Sequence, residues 1–393
     1  MPEVHARLSA SGAKRWMNCP PSVALEEQFP DKGSEYAREG SEYAREGTLA
    51  HSLAEAMIRY NAGQIKKAEF NRILKGIQKD ELYSIDMLDY VEDYASIVWE
   101  DYNAAKKEDS LILVEQRVDF SDYVPDGFGT CDAVIITDGK LHIYDLKYGK
   151  GVEVFAQDNP QLRLYGLGAV EAFDLLYDFD TVEMTIIQPR LGNVSTETMT
   201  VEELRDWGRL TVRPLAEKAT RGEGEFKPGD HCQFCKARAT CRARAEANME
   251  LAKMEFADPA LLDDSEIGEV LRVADQLQKW VKDVADYALA EAVNHRKKWD
   301  GWKLVEGRSN RKYVDETKVV DALHDAGYAD AVIYKKELWG ITAMEKLIGK
   351  KNFSDFLGNL VEKPAGKPVL VPESDKRPEL NAIEKAKEDF KDD

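Results

Sequence analysis

Asp145-Leu146-Lys147 is the segment of this chain whose residue types and spacing could do chemistry. It closes a short run rich in Val, Ile and Tyr. On a strand, residues two apart share a side, so Asp145 and Lys147 project together while Leu146 points into the core. A second run, carrying Gly129-Thr130-Cys131-Asp132, precedes it, and Asp138-Gly139 between the two is a hairpin signal. The hairpin brings Asp132 towards Asp145. Two carboxylates and the Leu146 backbone carbonyl make a hard oxygen site suited to Mg2+ or Mn2+. Such an ion polarises a phosphodiester oxygen and lowers the pKa of bound water. A lysine beside it orients hydroxide or neutralises the charge that develops on phosphorus.

Taken alone, Asp-x-Lys more often marks a surface ion pair than a catalytic site. Three neighbouring features change that balance. Gln161 and Tyr165 are four apart and share a helix face, where an amide and a hydroxyl suit a nucleic-acid strand lying over the metal. His51, at the start of an otherwise apolar helix, is a candidate nitrogen ligand. The cysteines carry the most weight: Cys232, Cys235 and Cys241 form C-x2-C-x5-C. Three thiolates so close together point to a bound centre, and four close a tetrahedral zinc site or a cubane cluster. Cys19, which ends a short N-terminal helix before Pro20-Pro21, is the better fourth ligand. Cys131 points away from Asp132 and reads as packing. Zinc with His231 as ligand is the competing assignment, weakened because adjacent positions 231 and 232 are poorly spaced to hold one ion together.

A net charge of −19 over 393 residues argues against a nucleic-acid partner on average, because phosphate affinity comes from Lys and Arg. Locally the balance differs. Lys236, Arg238, Arg242 and Arg244 surround the cysteines, and Lys303, Arg308, Arg311 and Lys312 interleave with Trp302 and Tyr313. Lys150, Arg238, Arg242, Arg308 and Arg311 are the candidate DNA contacts, against a plain reading of these cations as solvated helix faces. A content of 43% hydrophobic and 32% charged residues reads as soluble and globular. No apolar run is long enough for a transmembrane helix, and the first residues lack a secretory layout, which together predict a cytoplasmic protein. Five cysteines there argue for a metal or cluster site rather than disulfides.

The elements that must position these residues follow from periodicity. A short helix ends near Asn18, with serine hydroxyls at 9 and 11 placed to cap it. Residues 34–40 and 41–47 repeat Ser-Glu-Tyr-Ala-Arg-Glu-Gly. Helical spacing covers 48–60 and 81–105, strands 111–120, 129–137 and 141–148, a helix about 158–175, a strand 182–187, and a helix from Val201. This order predicts an α/β core. Domains are expected at 1–250 (the core with its cysteine clamp), 251–362 (a helical and small α+β extension) and 363–393 (a Pro-rich linker and charged tail).

Together these residues resemble the RecB-type branch of the PD-(D/E)XK nuclease superfamily, especially its iron–sulfur members, the AddB nuclease domain and the CRISPR-adaptation exonucleases. The likeness spans about residues 8–245. In that branch Ser-x-Ser…Cys-Pro, here Ser9, Ser11, Cys19 and Pro20, supplies the first cluster cysteine, and Cys232, Cys235 and Cys241 match the other three. The histidine motif matches His51, the metal-binding aspartate Asp132, the D/E-x-K Asp145 and Lys147, and the Q-x3-Y Gln161 and Tyr165. Cys131 stands where many relatives have proline. The resemblance implies a restriction-endonuclease-like core, a 4Fe-4S cluster, Mg2+ or Mn2+, and a deoxyribonuclease, more an exonuclease than an endonuclease. The chain also looks like a family encoded by phages and prophages, which implies work in replication or recombination, with DNA and phage single-strand-binding or recombination proteins as partners and self-association left open. A non-catalytic DNA-binding or scaffolding protein on the same fold is the alternative.

Overall fold

The computed structural model describes residues 6–29, 36–105, 110–252, 264–303, 305, 316–325, 349–357 and 360–361. Its centre is one mixed sheet of five strands in the order β1-β2-β3-β4-β5. The strands are β1 (Leu111–Asp119), β2 (Phe128–Thr137), β3 (Gly139–Leu146), β4 (Phe179–Gln188) and β5 (Asn193–Thr200). Gly139, at φ 84°, makes the tight turn between β2 and β3, a conformation that costs glycine little. The β3–β4 pair is parallel and the other pairs are antiparallel. Parallel pairing needs a crossover, and α6 (Pro160–Phe173) supplies it. Asn159 caps this helix, its side chain accepting from the backbone N–H groups of Gln161 and Leu162.

Each face of the sheet carries its own core. One face packs against α6, the N-terminal helix α1 (Ala13–Asn18), and α7 (Val201–Trp207) with α8 (Arg213–Arg221). The other packs against α3 (Tyr36–Asn61), α4 (Lys67–Ile77) and α5 (Ile85–Ala105). α3 starts at Tyr36, so the repeated heptad lies largely within helix; its Ala, Arg and Glu are good helix formers. α4 and β5 are not foreseen from the sequence. Serine capping of α1 is indirect: the N-cap is Gly12, without a side-chain cap, and Ser9 Oγ accepts from Gly12 N–H at 3.2 Å.

Strand alternation inverts at one place. On β1, Val114 faces the α3–α5 layer, yet Val118, at the same parity, faces α6. On β2, Cys131 and Val134, three apart, both face α6. Between them lie Glu115, at φ 51°, and Asp132, which would be partners in the flanking register. The sheet therefore opens where its acids stand.

The chain divides into units 1–303 and 304–393. The first unit runs past residue 250 and includes α9 (Arg242–Ala252) and α10 (Asp264–His295). Of the second, helices Glu316–Asp325 and Lys350–Leu357 are described. Arg308, Arg311 and the expected tail lie outside the described residues, as does most of the small α+β module expected at 300–360. Among the described residues, no helix is long and apolar enough to cross a membrane.

Candidate metal and cysteine centres

The β2–β3 ladder ends at the pair Ala133–Tyr144. One residue on, the carboxylate of Asp132 takes over from the backbone: its Oδ2 accepts from Leu146 N–H at 2.6 Å. Its Oδ1 lies 3.1 Å from Nδ1 of His51 on α3. Glu115 completes this group, with one donor atom from each of His51, Glu115 and Asp132 lying within 4.8 Å of the others. Sequence reasoning missed Glu115. Its one sequence signal is an acid interrupting Leu111-Ile112-Leu113-Val114, and its left-handed backbone leaves no trace in the residue order.

Asp145 joins a second group beside the first. It is 3% exposed, and its Oδ2 lies 2.8 Å from Lys147 Nζ. That oxygen makes no well-directed hydrogen bond. Lys147 Nζ donates to Gln161 Oε1 at 3.0 Å, and Gln161 Nε2 approaches Asp145 Oδ1 at 3.2 Å and Tyr165 Oη at 3.0 Å. Gln161 thus fixes the lysine and the aspartate rather than reaching outwards, and Tyr165, at 7% exposure, is part of the core. Gly129 makes this fit possible, because a Cβ there would lie 2.5 Å from the Tyr165 ring.

The electrostatics of the group suit a divalent cation. Burial, then the charge of Asp132, pushes the Glu115 carboxyl up to about 7. Burial also raises Asp145, Lys147 opposing and Asp132 adding to the rise. Burial disfavours a charged His51, but Asp132 outweighs it and lifts its pKa, with Asp145 and Glu115 assisting. Lys147 is likewise raised, the pull of Asp145 exceeding the effect of burial. Glu115 and Asp145, each facing the charge of Asp132, resist ionisation, and a divalent ion among them would reverse that penalty. Oxygen donors with one imidazole suit Mg2+ or Mn2+.

Cys19, Cys232, Cys235 and Cys241 line one cavity, together with His231, Arg15, Arg238 and Arg244. Cys131 is elsewhere, fully buried against α6. His231 Nε2 donates to the Lys227 carbonyl at 2.9 Å. Among the described residues, no three of these sulfurs lie within 4.8 Å of one another. Burial raises the Cys232 thiol, and it pushes Cys235 up to about 11. Arg244 is buried and pairs with Asp283 of α10 at 2.6 Å, and Arg238 pairs with the same carboxylate at 3.0 Å. Arg238 is therefore committed to an ion pair, whereas Arg242 and Lys150 are exposed.

The architecture is thus a mixed α/β domain with acidic donors where the sheet opens and a four-cysteine cavity at its margin. The chain belongs to the family described as "Protein of unknown function (DUF2800)", whose model matches residues 5–378. Among solved structures it is similar to one described as "Crystal structure of SSO0001". That match has 15% identity and a TM-score of 0.26 and covers 49% of this chain and 84% of that chain, a likeness too slight to define a shared fold.

Proposed function

We propose that this protein is a Mg2+- or Mn2+-dependent deoxyribonuclease on a PD-(D/E)XK core, acting on DNA ends. The observation that carries the reading is the adjacency of two groups. His51, Glu115 and Asp132 offer metal donors, and the buried Asp145 with the half-buried Lys147 and Gln161 forms a hydrogen-bonded cluster beside them. A bound divalent ion supplies Lewis acidity and a water of lowered pKa. Asp132 and His51 would hold it, with Glu115 as an added donor; the resemblance adds Asp145 and the Leu146 carbonyl. Lys147, kept protonated by Asp145, places a positive charge where a phosphodiester gains negative charge. Gln161 holds that ammonium in position.

The four cysteines that line one cavity would, as the resemblance implies, hold a 4Fe-4S cluster rather than a single zinc. A 4Fe-4S cluster here would be structural, with Arg15 and Arg244, paired to Glu26 and Asp283, beside it. Cytoplasmic work on replicating or recombining phage DNA is the setting the resemblance suggests.

The test is anaerobic purification followed by digestion of end-labelled linear, circular and single-stranded DNA with Mn2+. Cleavage should require an end, stop with EDTA, and fall by about 10^2–10^3 or more in Asp145→Ala. Full activity in that variant would sink the proposed site. Mn2+-insensitive DNA binding without turnover would favour the non-catalytic alternative.

A further inference from the structure

We propose that Arg117, laid over Phe128, grips the substrate phosphate adjoining the one held at the metal centre; this rests on the nuclease reading above. Arg117 is two residues beyond Glu115 on β1, and its antiparallel partner Thr130 is two residues before Asp132 on β2. Glu115 and Arg117 alternate outwards with the less exposed Gln116 between them, as Asp132 and the exposed Thr130 do on the facing strand. Two residues of strand span roughly 7 Å. A phosphate at Arg117 would therefore be a near neighbour of one at the metal donors.

The guanidinium is already set for this task. It stands 3.9 Å over the Phe128 ring, diagonal to it across the strand pair. Stacking leaves its N–H edges pointing outwards, a planar fork matched to phosphate oxygens. Among the described residues this guanidinium makes no close ion pair and no hydrogen bond, and its charge adds only the last contribution to lowering the Asp119 carboxyl, after the Ser121 hydrogen bonds. Nearby cations are otherwise engaged: Lys147 with Asp145, and Arg190 with Glu46 at 3.1 Å. In a chain of net charge −19, a pre-oriented and uncommitted arginine beside acidic metal donors is well placed to counter repulsion of DNA. Asp119, paired opposite Phe128 and held by Ser121 N–H at 2.8 Å, sets a negative charge beyond the ring. The row therefore offers one phosphate position rather than a track.

The test measures binding separately from cleavage. Wild type, Arg117→Ala, Arg117→Lys and Phe128→Leu are titrated with a short single-stranded oligonucleotide, with Ca2+ replacing Mn2+ to hold back turnover. A second oligonucleotide carries one neutral methylphosphonate next to the terminal linkage. Arg117→Ala should weaken binding about tenfold and make the salt dependence shallower by about one charge. KM should rise while kcat stays within about threefold, as for lost uniform binding. The methylphosphonate should weaken wild type and leave Arg117→Ala unaffected. Arg117→Lys should keep the salt slope with part of the affinity lost, and Phe128→Leu should fall between. If wild type cuts DNA while Arg117→Ala matches it in affinity and salt slope, the phosphate grip is overturned and the nuclease reading stands. A wild type that neither binds nor cuts DNA overturns both.

Discussion

Asp132 does several things at once: it accepts from Leu146 N–H, faces His51, and raises the carboxyls of Glu115 and Asp145. Such crowding has a direct consequence for metal affinity. Glu115→Gln removes a donor but also relieves repulsion, so the fold should be no less stable while Mn2+ affinity drops. A loss of about tenfold or more, read by calorimetry or by the Mn2+ electron-spin signal, is expected, since outer partners of metal sites alone are worth 10–100-fold. Unchanged affinity would remove Glu115 from the centre. Gln161→Ala should act differently. It leaves the His51, Glu115 and Asp132 donors intact, so Mn2+ binding should persist, while kcat falls by about 10–100-fold as Lys147 loses its orienting amide. A parallel loss of metal binding would place Gln161 elsewhere in the site.

At the scale of elements, the face of the sheet turned to α5 holds a hydrogen-bonded chain that no motif announces. Asp101 can only accept, so Tyr144 donates to it at 2.8 Å, and His142 Nδ1–H donates to Tyr144 at 2.7 Å. His142 Nε2 then accepts from Thr185, which lies 2.8 Å from Thr196. The chain is complete with a neutral histidine, and burial first, with Lys140 adding, pushes the pKa of His142 down to about 3. The unfolded chain takes its proton near pH 6.5, whereas the fold refuses it until about 3. Above pH 6.5 this group contributes no pH dependence. As pH falls from 6.5, stability should drop by up to about 1.4 kcal/mol per unit. Urea midpoints between pH 7 and 5 check this, and His142→Gln should flatten the slope even if it lowers the plateau. A second element-scale test is Gly129→Ala. The new methyl would meet the Tyr165 ring edge, so a loss of about 1–3 kcal/mol is expected, with weaker cleavage as the ring pushes on Gln161.

These elements differ in how plainly the sequence spells them. β2 and β3 were readable because apolar and aromatic residues flank an Asp-Gly turn, and the start of α6 because Asn159-Pro160 precedes its apolar run. β5, Asn193-Val-Ser-Thr-Glu-Thr-Met-Thr200, was not, since an edge strand with one solvated side needs few apolar residues and owes its existence to pairing with β4. Asp132, Asp145, Lys147 and His51 were legible as candidate donors by type and order. Their division into two adjacent groups, with Glu115 in the first, was not. Placing His51 with Glu115 and Asp132, and Asp145 with Gln161, depends on an inversion of strand alternation, and periodicity has no term for a residue at positive φ.

The proposed centre in the cysteine cavity would tie the first unit together at its margin. Cys19 lies in an N-terminal segment that Arg7 ties to Glu27 and to the carbonyl of Thr220, and the other three cysteines follow a loop more than 200 residues away. α10 holds the same loop from the far side through Asp283. A centre joining these segments restrains the unfolded chain much as a cross-link does, an effect of about 5 kcal/mol for loops of 100 residues or more. Only part of it should appear on removing one ligand, because the N-terminal segment keeps its own buried contacts, Leu8 and Trp16 among them. Cys19→Ser should therefore lower Tm by roughly 5–10 °C, at about 2–4 °C per kcal/mol for a unit of this size. With the proposed cluster in place, it should also bleach the visible absorption of the anaerobically purified protein, whereas Cys131→Ser leaves that absorption unchanged. Asp283→Asn gives an intermediate case. It frees Arg238 and Arg244 without touching a sulfur, so iron content at purification should stay near wild type while the cluster is lost faster in air. Iron content and Tm unchanged in Cys19→Ser would mean that no centre ties these segments together, and that the N-terminal helix is held by its apolar side chains alone.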